Sequence, residues 1–146
     1  MDTVEGIAWG VRDDIGRIVL KRPGSANALT STSLRVLVRA IDEVLEQKPR
    51  AILLTGEGKA FCAGGDIDEF VAAGERLPEL VNEILDGLHP ALLRLVTSPA
   101  PLVVAVNGPA GGAVTTSAPI RSRQWRASSS DSVPRSPWST WSAETR

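Results

Sequence analysis

An α/β fold is predicted for this chain of 146 residues, and two observations carry that expectation. The apolar runs at 51–55 (Ala-Ile-Leu-Leu-Thr) and 102–106 (Leu-Val-Val-Ala-Val) lack the alternation of a half-exposed strand and read as strands covered on both faces. The segments around them carry apolar residues at helical spacing, so strands and helices alternate along the chain. A third observation sets the limit of that fold. Beyond residue 113 neither period continues, which divides the chain into a structured part, 1–112, and a different tail, 113–146.

Residues 5–10 and 16–20 predict a β-hairpin that turns at Asp13 and Asp14. Pro23, Gly24 and Asn27 mark 22–30 as a loop. Thr30 or Ser31 can then cap an amphipathic helix. Its apolar face is Leu34, Leu37, Val38, Ile41, Val44 and Leu45, with Arg35, Arg39, Asp42, Glu43 and Glu46 mostly opposite. Lys48-Pro49 ends it. After the strand at 51–55 comes a glycine-rich loop, 56–65, then Asp66 and a short helix to about Ala73. A longer helical pattern covers 78–97 (Leu80, Ile84, Leu85, Leu88, Leu92, Leu95, Val96), and Pro90 within it is expected to kink or divide it. Ser98-Pro99-Ala100-Pro101 breaks the pattern, and Asn107-Gly108-Pro109 ends the strand at 102–106.

The net charge of -1 hides an asymmetry. Residues 1–112 hold 11 Lys/Arg and 15 Asp/Glu, whereas 113–146 hold five Arg and two acids. All 13 glycines and every leucine precede residue 113, while three of the four tryptophans and nine serines follow it. Such a tail has no continuous apolar face to offset the entropy of ordering, so it is expected to be largely irregular or disordered. Interleaved Arg and Trp can stack on bases, but five arginines make a weak electrostatic footprint, and no nucleic-acid partner is expected. No apolar run reaches the roughly 18–20 residues of a membrane span, and no cationic segment leads into an apolar one at the N-terminus. With a single cysteine, Cys62, the expectation is a reducing, cytoplasmic setting with no membrane association.

The segment Lys59-Ala60-Phe61-Cys62-Ala63-Gly64-Gly65-Asp66-Ile67 carries the most chemical information. A phosphate-loop reading of Gly56-Glu57-Gly58-Lys59 fails because no Ser or Thr follows the lysine. A dinucleotide fingerprint fails because its third glycine falls on Phe61. Two readings remain open. The segment is a strand-to-helix turn capped by Asp66, or its backbone N–H groups at a helix start hold negative charge on a ligand oxygen. A second strand running into small residues, Ala105-Val106-Asn107-Gly108-Pro109-Ala110-Gly111-Gly112, favours the latter, because two such loops can supply two donors to one oxygen. His89 precedes a proline with no nucleophile or metal partner near it in sequence and reads as structural or surface. Cys62 reads as a small packed side chain, and Asp68 and Glu69 as the charged first turn of a helix.

Arg22-Pro23, Asn27-Ala28-Leu29, Phe61-Cys62-Ala63-Gly64-Gly65-Asp66-Ile67 and the 105–112 segment resemble, in order and spacing, the enoyl-CoA hydratase/isomerase (crotonase) family over residues 1 to about 112. The resemblance implies an incomplete crotonase-like ββα spiral and an acyl-CoA thioester as the substrate, with coenzyme A as part of that substrate and no separate cofactor or metal. It also implies a homotrimer or hexamer, although the parts of the family fold that commonly build those contacts lie beyond the match. On the same resemblance the backbone N–H groups of Gly65 and Ala113 form an oxyanion hole. Ala63, Gly64, Gly65, Asp66 and Ile67 line the coenzyme A site, and Arg22 sits near the coenzyme A phosphates or is a solvated surface charge.

Family hydratases also use two glutamates as acid and base. The first falls near Thr116, within Thr115-Thr116-Ser117, and the second in a tail whose only acids are Asp131 and Glu144. A change of reading frame near residue 113 accounts for the break. It predicts that the gene encodes the rest of the family domain in a shifted frame; nucleotide sequence lacking that open frame would refute it. Three functional classes follow: an acyl-CoA hydratase or isomerase, a non-catalytic fragment retaining part of the coenzyme A pocket, and an interaction protein with a basic tail.

Overall fold

Two two-residue turns organise the N-terminal sheet. Glu5 and Gly6, with φ of 48° and 75°, join β1 (Thr3–Val4) to β2 (Ile7–Arg12). Asp13 and Asp14, at 52° and 60°, join β2 to β3 (Ile15–Leu20). Positive φ at both central positions matches the right-handed twist of the flanking strands. The computed structural model describes Met1 and residues 3–111. The expected turn at Asp13-Asp14 is present, but the first strand of the hairpin lies at 7–12 rather than 5–10. Gly6 belongs to the additional turn, and β1 is a strand the apolar pattern does not announce.

Helix α1 (Ser31–Glu46) forms as its periodicity dictates. The Thr30 hydroxyl accepts a hydrogen bond from the Ser33 amide at 3.1 Å, satisfying one of the orphan donors of the first turn. Leu34, Leu37, Ile41 and Val44 are buried, each burial contributing about 1.5–3 kcal/mol. Strand β4 (Ala51–Gly56) follows, then α2 (Ile67–Ala73), α3 (Leu77–Thr97) and β5 (Leu102–Ala105). Of the two outcomes expected at Pro90, a kink or a division, the division does not occur: the helix is continuous over 21 residues. The hydrogen bond that the proline cannot donate is the one to the Asp86 carbonyl, and Asp86, Gly87 and Pro90 all lie on the exposed side, where water can serve that oxygen.

The five strands form one sheet in the order β1-β2-β3-β4-β5. β1, β2 and β3 run antiparallel to their neighbours, whereas β3, β4 and β5 run parallel. Both parallel connections pass through helices, as parallel pairing requires. One face of the sheet, carrying Ile7, Ile18, Leu20 and Ile52, forms a continuous buried cluster with Leu37, Ile41 and Val44 of α1 and Ala91 and Leu95 of α3. The fit is close: a Cβ on Gly16 would stand 2.5 Å from a Val44 methyl. The expectation that β4 and β5 are covered on both faces is not met among the described residues. Ile52 is buried, but Val103 is 54% exposed, because both long helices pack on the other face.

Candidate functional site

Because β3, β4 and β5 are parallel, their carboxyl ends share one edge of the sheet, the usual location of ligand sites in open α/β sheets. Three loops leave from that edge: 21–30, 57–66 and 106–111. Short backbone pairings join them side by side. Ala63 N–H donates to the Ala26 carbonyl at 2.9 Å, Leu29 N–H to Gly64 at 2.8 Å, and Asp66 N–H to Leu29 at 2.9 Å. On the other side, Phe61 N–H donates to Pro109 at 3.0 Å and Gly111 N–H to Cys62 at 2.8 Å. The glycine-rich loop is thus the middle of a three-stranded arrangement, bridged at Leu29 with Gly65 and at Cys62 with Ala110.

Two asparagines tie the loops together, Asn27 from the interior and Asn107 from the exposed side. Asn27 is buried, with a left-handed φ of 56°. Its Oδ1 accepts from Arg22 N–H at 2.8 Å, and its Nδ2 donates to the carbonyls of Glu57 and Ala60, both at 2.9 Å. Asn107 does the same from the third loop: Oδ1 accepts from Gly56 N–H at 3.1 Å, and Nδ2 donates to Gly58 at 2.9 Å and Ala60 at 3.2 Å. Close backbone contact accompanies these bonds. A Cβ on Gly108 would meet the Lys59 carbonyl oxygen at 2.0 Å, so only glycine lets the two loops approach. In the sequence both asparagines mark loops, but their hydrogen bonds to neighbouring loops are not evident there. The available signal was a polar, turn-tolerant residue beside small ones in the loop after an apolar run, Asn27 between Ala26 and Ala28 and Asn107 before Gly108.

At the centre of the site, the Leu29 bridge uses the Gly64 carbonyl and the Asp66 N–H, which turns the intervening Gly65 N–H away from that partner. Among the described residues the Gly65 N–H has no acceptor. Its α-carbon packs against the Phe70 ring so tightly that a Cβ would stand 2.3 Å from Cζ. Asp66 caps α2 by accepting from the Glu69 amide at 3.2 Å. Its second oxygen lies 3.5 Å from an Arg22 amino group, and that guanidinium also donates to the Ala28 carbonyl at 2.8 Å. Arg22 is therefore a half-buried tie between two of the loops, its stem lying over Gly6. Ala63 and Ile67 are exposed on this edge, whereas Gly64 is buried.

Asp68 and Glu69 form the charged first turn of α2 as expected, and Glu69 does more. Glu69 accepts from the Ser31 amide at 2.7 Å and from the Ser31 hydroxyl at 2.5 Å, placing its charge at the N-terminus of α1. Cys62 is buried as expected. Its thiol donates to the Asn27 carbonyl at 3.3 Å, and burial pushes its pKa up against a smaller opposing pull from the Gly64 N–H. His89 lies exposed on α3, away from the three loops. Ala113 and Thr116 lie outside the described residues. Among the described residues no His/Cys/Asp/Glu group could hold a metal ion, and no helix is long and apolar enough to cross a membrane.

A family model described as enoyl-CoA hydratase/isomerase matches residues 10–118, three-quarters of the chain. The chain belongs to the enoyl-CoA hydratase/isomerase family. Among the curated relatives it is 42% identical, over 96 residues, to a Mycobacterium tuberculosis protein described as probable enoyl-CoA hydratase echA6; the match covers 66% of this chain and 36% of that protein. It is 32% identical over 115 residues to the Escherichia coli 1,2-epoxyphenylacetyl-CoA isomerase, covering 77% of this chain and 44% of that enzyme. The solved Mycobacterium smegmatis enoyl-CoA hydratase superposes with a TM-score of 0.59 at 30% identity, over 70% of this chain and 40% of that structure. The chain thus spans roughly two-fifths of the length of the family members it matches. Its described residues carry the mixed α/β layer of the enoyl-CoA hydratase/isomerase fold.

Proposed function

We propose that this chain carries the oxygen-binding side of an acyl-CoA site in the hydratase/isomerase family and lacks the proton-transfer side. The observation that supports this most is the Gly65 N–H, left without an acceptor among the described residues at the carboxyl edge of three parallel strands. In this reading the N–H groups of Gly65 and Ala113 hold the thioester oxygen as an enolate develops. A preorganised donor of that kind is worth about 3–4 kcal/mol of barrier. Ala63, Gly64, Asp66 and Ile67 lie alongside coenzyme A. Arg22 reaches the coenzyme A phosphates, and it must loosen its contact with Asp66 to do so.

Hydration or double-bond isomerisation also needs a base and an acid, and Thr116 stands near the first of those family positions. The expected behaviour is acyl-CoA binding without turnover. Calorimetry with crotonyl-CoA, together with the loss of enoyl absorbance over time, tests this. Binding with a flat absorbance trace is the expected result. Robust hydration by the pure chain would overturn the inactive reading, and absence of binding would overturn the site itself. An interaction role for the basic tail would instead show as salt-sensitive RNA binding that disappears when 113–146 are deleted.

A further inference from the structure

Helix α2 starts at the Asp66 cap and carries Phe70, the ring that packs on Gly65. None of its seven residues is buried, so apolar packing does little to fix its angle to the rest of the chain. Ile67 and Val71 are 74% and 76% exposed. What fastens this helix is polar. Asp66 N–H donates to the Leu29 carbonyl at 2.9 Å, and an Asp66 oxygen lies 3.5 Å from Arg22. One turn further on, Glu69 accepts from the Ser31 amide at 2.7 Å and from the Ser31 hydroxyl at 2.5 Å. Ser31 is the first residue of α1, so its N–H is one of the donors that no carbonyl within the helix can serve. The Glu69 carboxylate serves it, at the end of α1 that favours negative charge.

We infer that Glu69 is a positioning residue: by gripping Ser31 it holds α2 in place, and through Phe70 it keeps the Gly65 N–H aimed at a bound carbonyl oxygen. Leu29 and Ser31 stand two residues apart on one segment, Gly65 and Glu69 four residues apart on the other. The Leu29 bridge and the Glu69 clamp therefore close a ring of contacts that contains Gly65. With the bridge alone, α2 is free to pivot about Asp66. The Phe70 ring would then leave the Gly65 α-carbon, on which it packs so closely that a Cβ would stand 2.3 Å from Cζ. The clamp matters most with ligand bound, because Arg22 loosens from Asp66 as it reaches the coenzyme A phosphates. The inference rests on the role proposed for Gly65 and names the residue that enforces it.

The test compares butyryl-CoA with its thioether analogue S-butyl-CoA, by calorimetry, on the full chain and three variants. Glu69→Ala removes the clamp. Ser31→Pro removes it from the other side, taking away both the amide and the hydroxyl at the first helical position, where proline is well tolerated and the preceding Thr30 is already extended. Glu69→Gln keeps an oxygen for the Ser31 amide and is the rescue. The wild-type chain is expected to prefer the thioester roughly fivefold, the worth of one net hydrogen bond. Glu69→Ala and Ser31→Pro should lose that preference while their thioether affinity stays within about twofold of wild type, and Glu69→Gln should retain it. A preference kept in either of the first two variants overturns the role of Glu69. So does an equal loss for both ligands, the behaviour of a residue that only maintains the fold. A wild-type chain with no preference refutes the Gly65 chemistry itself, and that failure shows before any substitution is made.

Discussion

A methyl group on Gly65 would stand 2.3 Å from Phe70 Cζ, so this glycine serves packing as well as any chemistry at its N–H. Gly65→Ala is expected to lower stability by about 1–3 kcal/mol, the usual cost of overfilling a packed site. Phe70→Leu in the same chain should recover part of that loss in urea denaturation. A double variant no more stable than the single one would contradict the packing role. Asn27 makes a second residue-level case. Asn27→Ala removes three hydrogen bonds, orphans Arg22 N–H and the Glu57 carbonyl, and leaves alanine at φ 56°. With each orphan worth about 1–3 kcal/mol, a loss of about 3 kcal/mol is expected from the urea midpoint. A loss below about 1 kcal/mol would show that the loops do not depend on it. The sequence could mark Gly65 and Asn27 as loop residues but not these roles, since the Phe70 contact and the Glu57 and Ala60 carbonyls arise only when separate segments meet.

Elements were legible where one periodicity governed them. Helix α1 runs as its apolar spacing and Thr30 cap imply, and α2 begins at the Asp66 cap. The hairpin register shifted because Gly6, read as strand, is turn. Pro90 does not divide α3 because that proline faces solvent. Pro90→Ala is therefore expected to raise stability, by about 1–3 kcal/mol given the propensity difference and its partial offset in the unfolded chain; a lower thermal midpoint would contradict this. Between β2 and α1, the Trp9 indole donates to Glu43 at 2.7 Å, Arg39 reaches the other carboxylate oxygen at 2.6 Å, and the guanidinium lies over the indole ring. The hydrogen bonds from Arg39 and then Trp9 hold the Glu43 carboxyl below its ordinary value of 4.5. A lowered folded-state pKa means that the contribution is complete above the unfolded value and lost as pH falls through the folded one. Glu43→Gln should thus lower the urea midpoint at pH 7 and change it less at pH 3. An equal change at both pH values would contradict the pairing.

For the whole molecule, the sequence conveyed the α/β class and the order of elements. It also suggested strands covered on both faces, and the structure supplies one cover. Among the described residues only one face of β4 and β5 is covered, and the chain spans about two-fifths of the length of the relatives it matches. The paired glycine segments were legible because close backbone approach admits so few residue types, as the contacts of Gly108 and Gly65 show. The direction of the Gly65 N–H was not, because it depends on the Leu29 bridge, formed across 36 residues of sequence. That N–H is the centre of the functional account. The most direct measurement compares, by calorimetry on the full chain, an acyl-CoA thioester with the matching S-alkyl-CoA thioether, which has the same chain but no carbonyl oxygen. A hydrogen bond to the oxygen is worth about 1 kcal/mol net, so the thioester should bind roughly fivefold more tightly. Equal affinities for the two ligands would contradict the account.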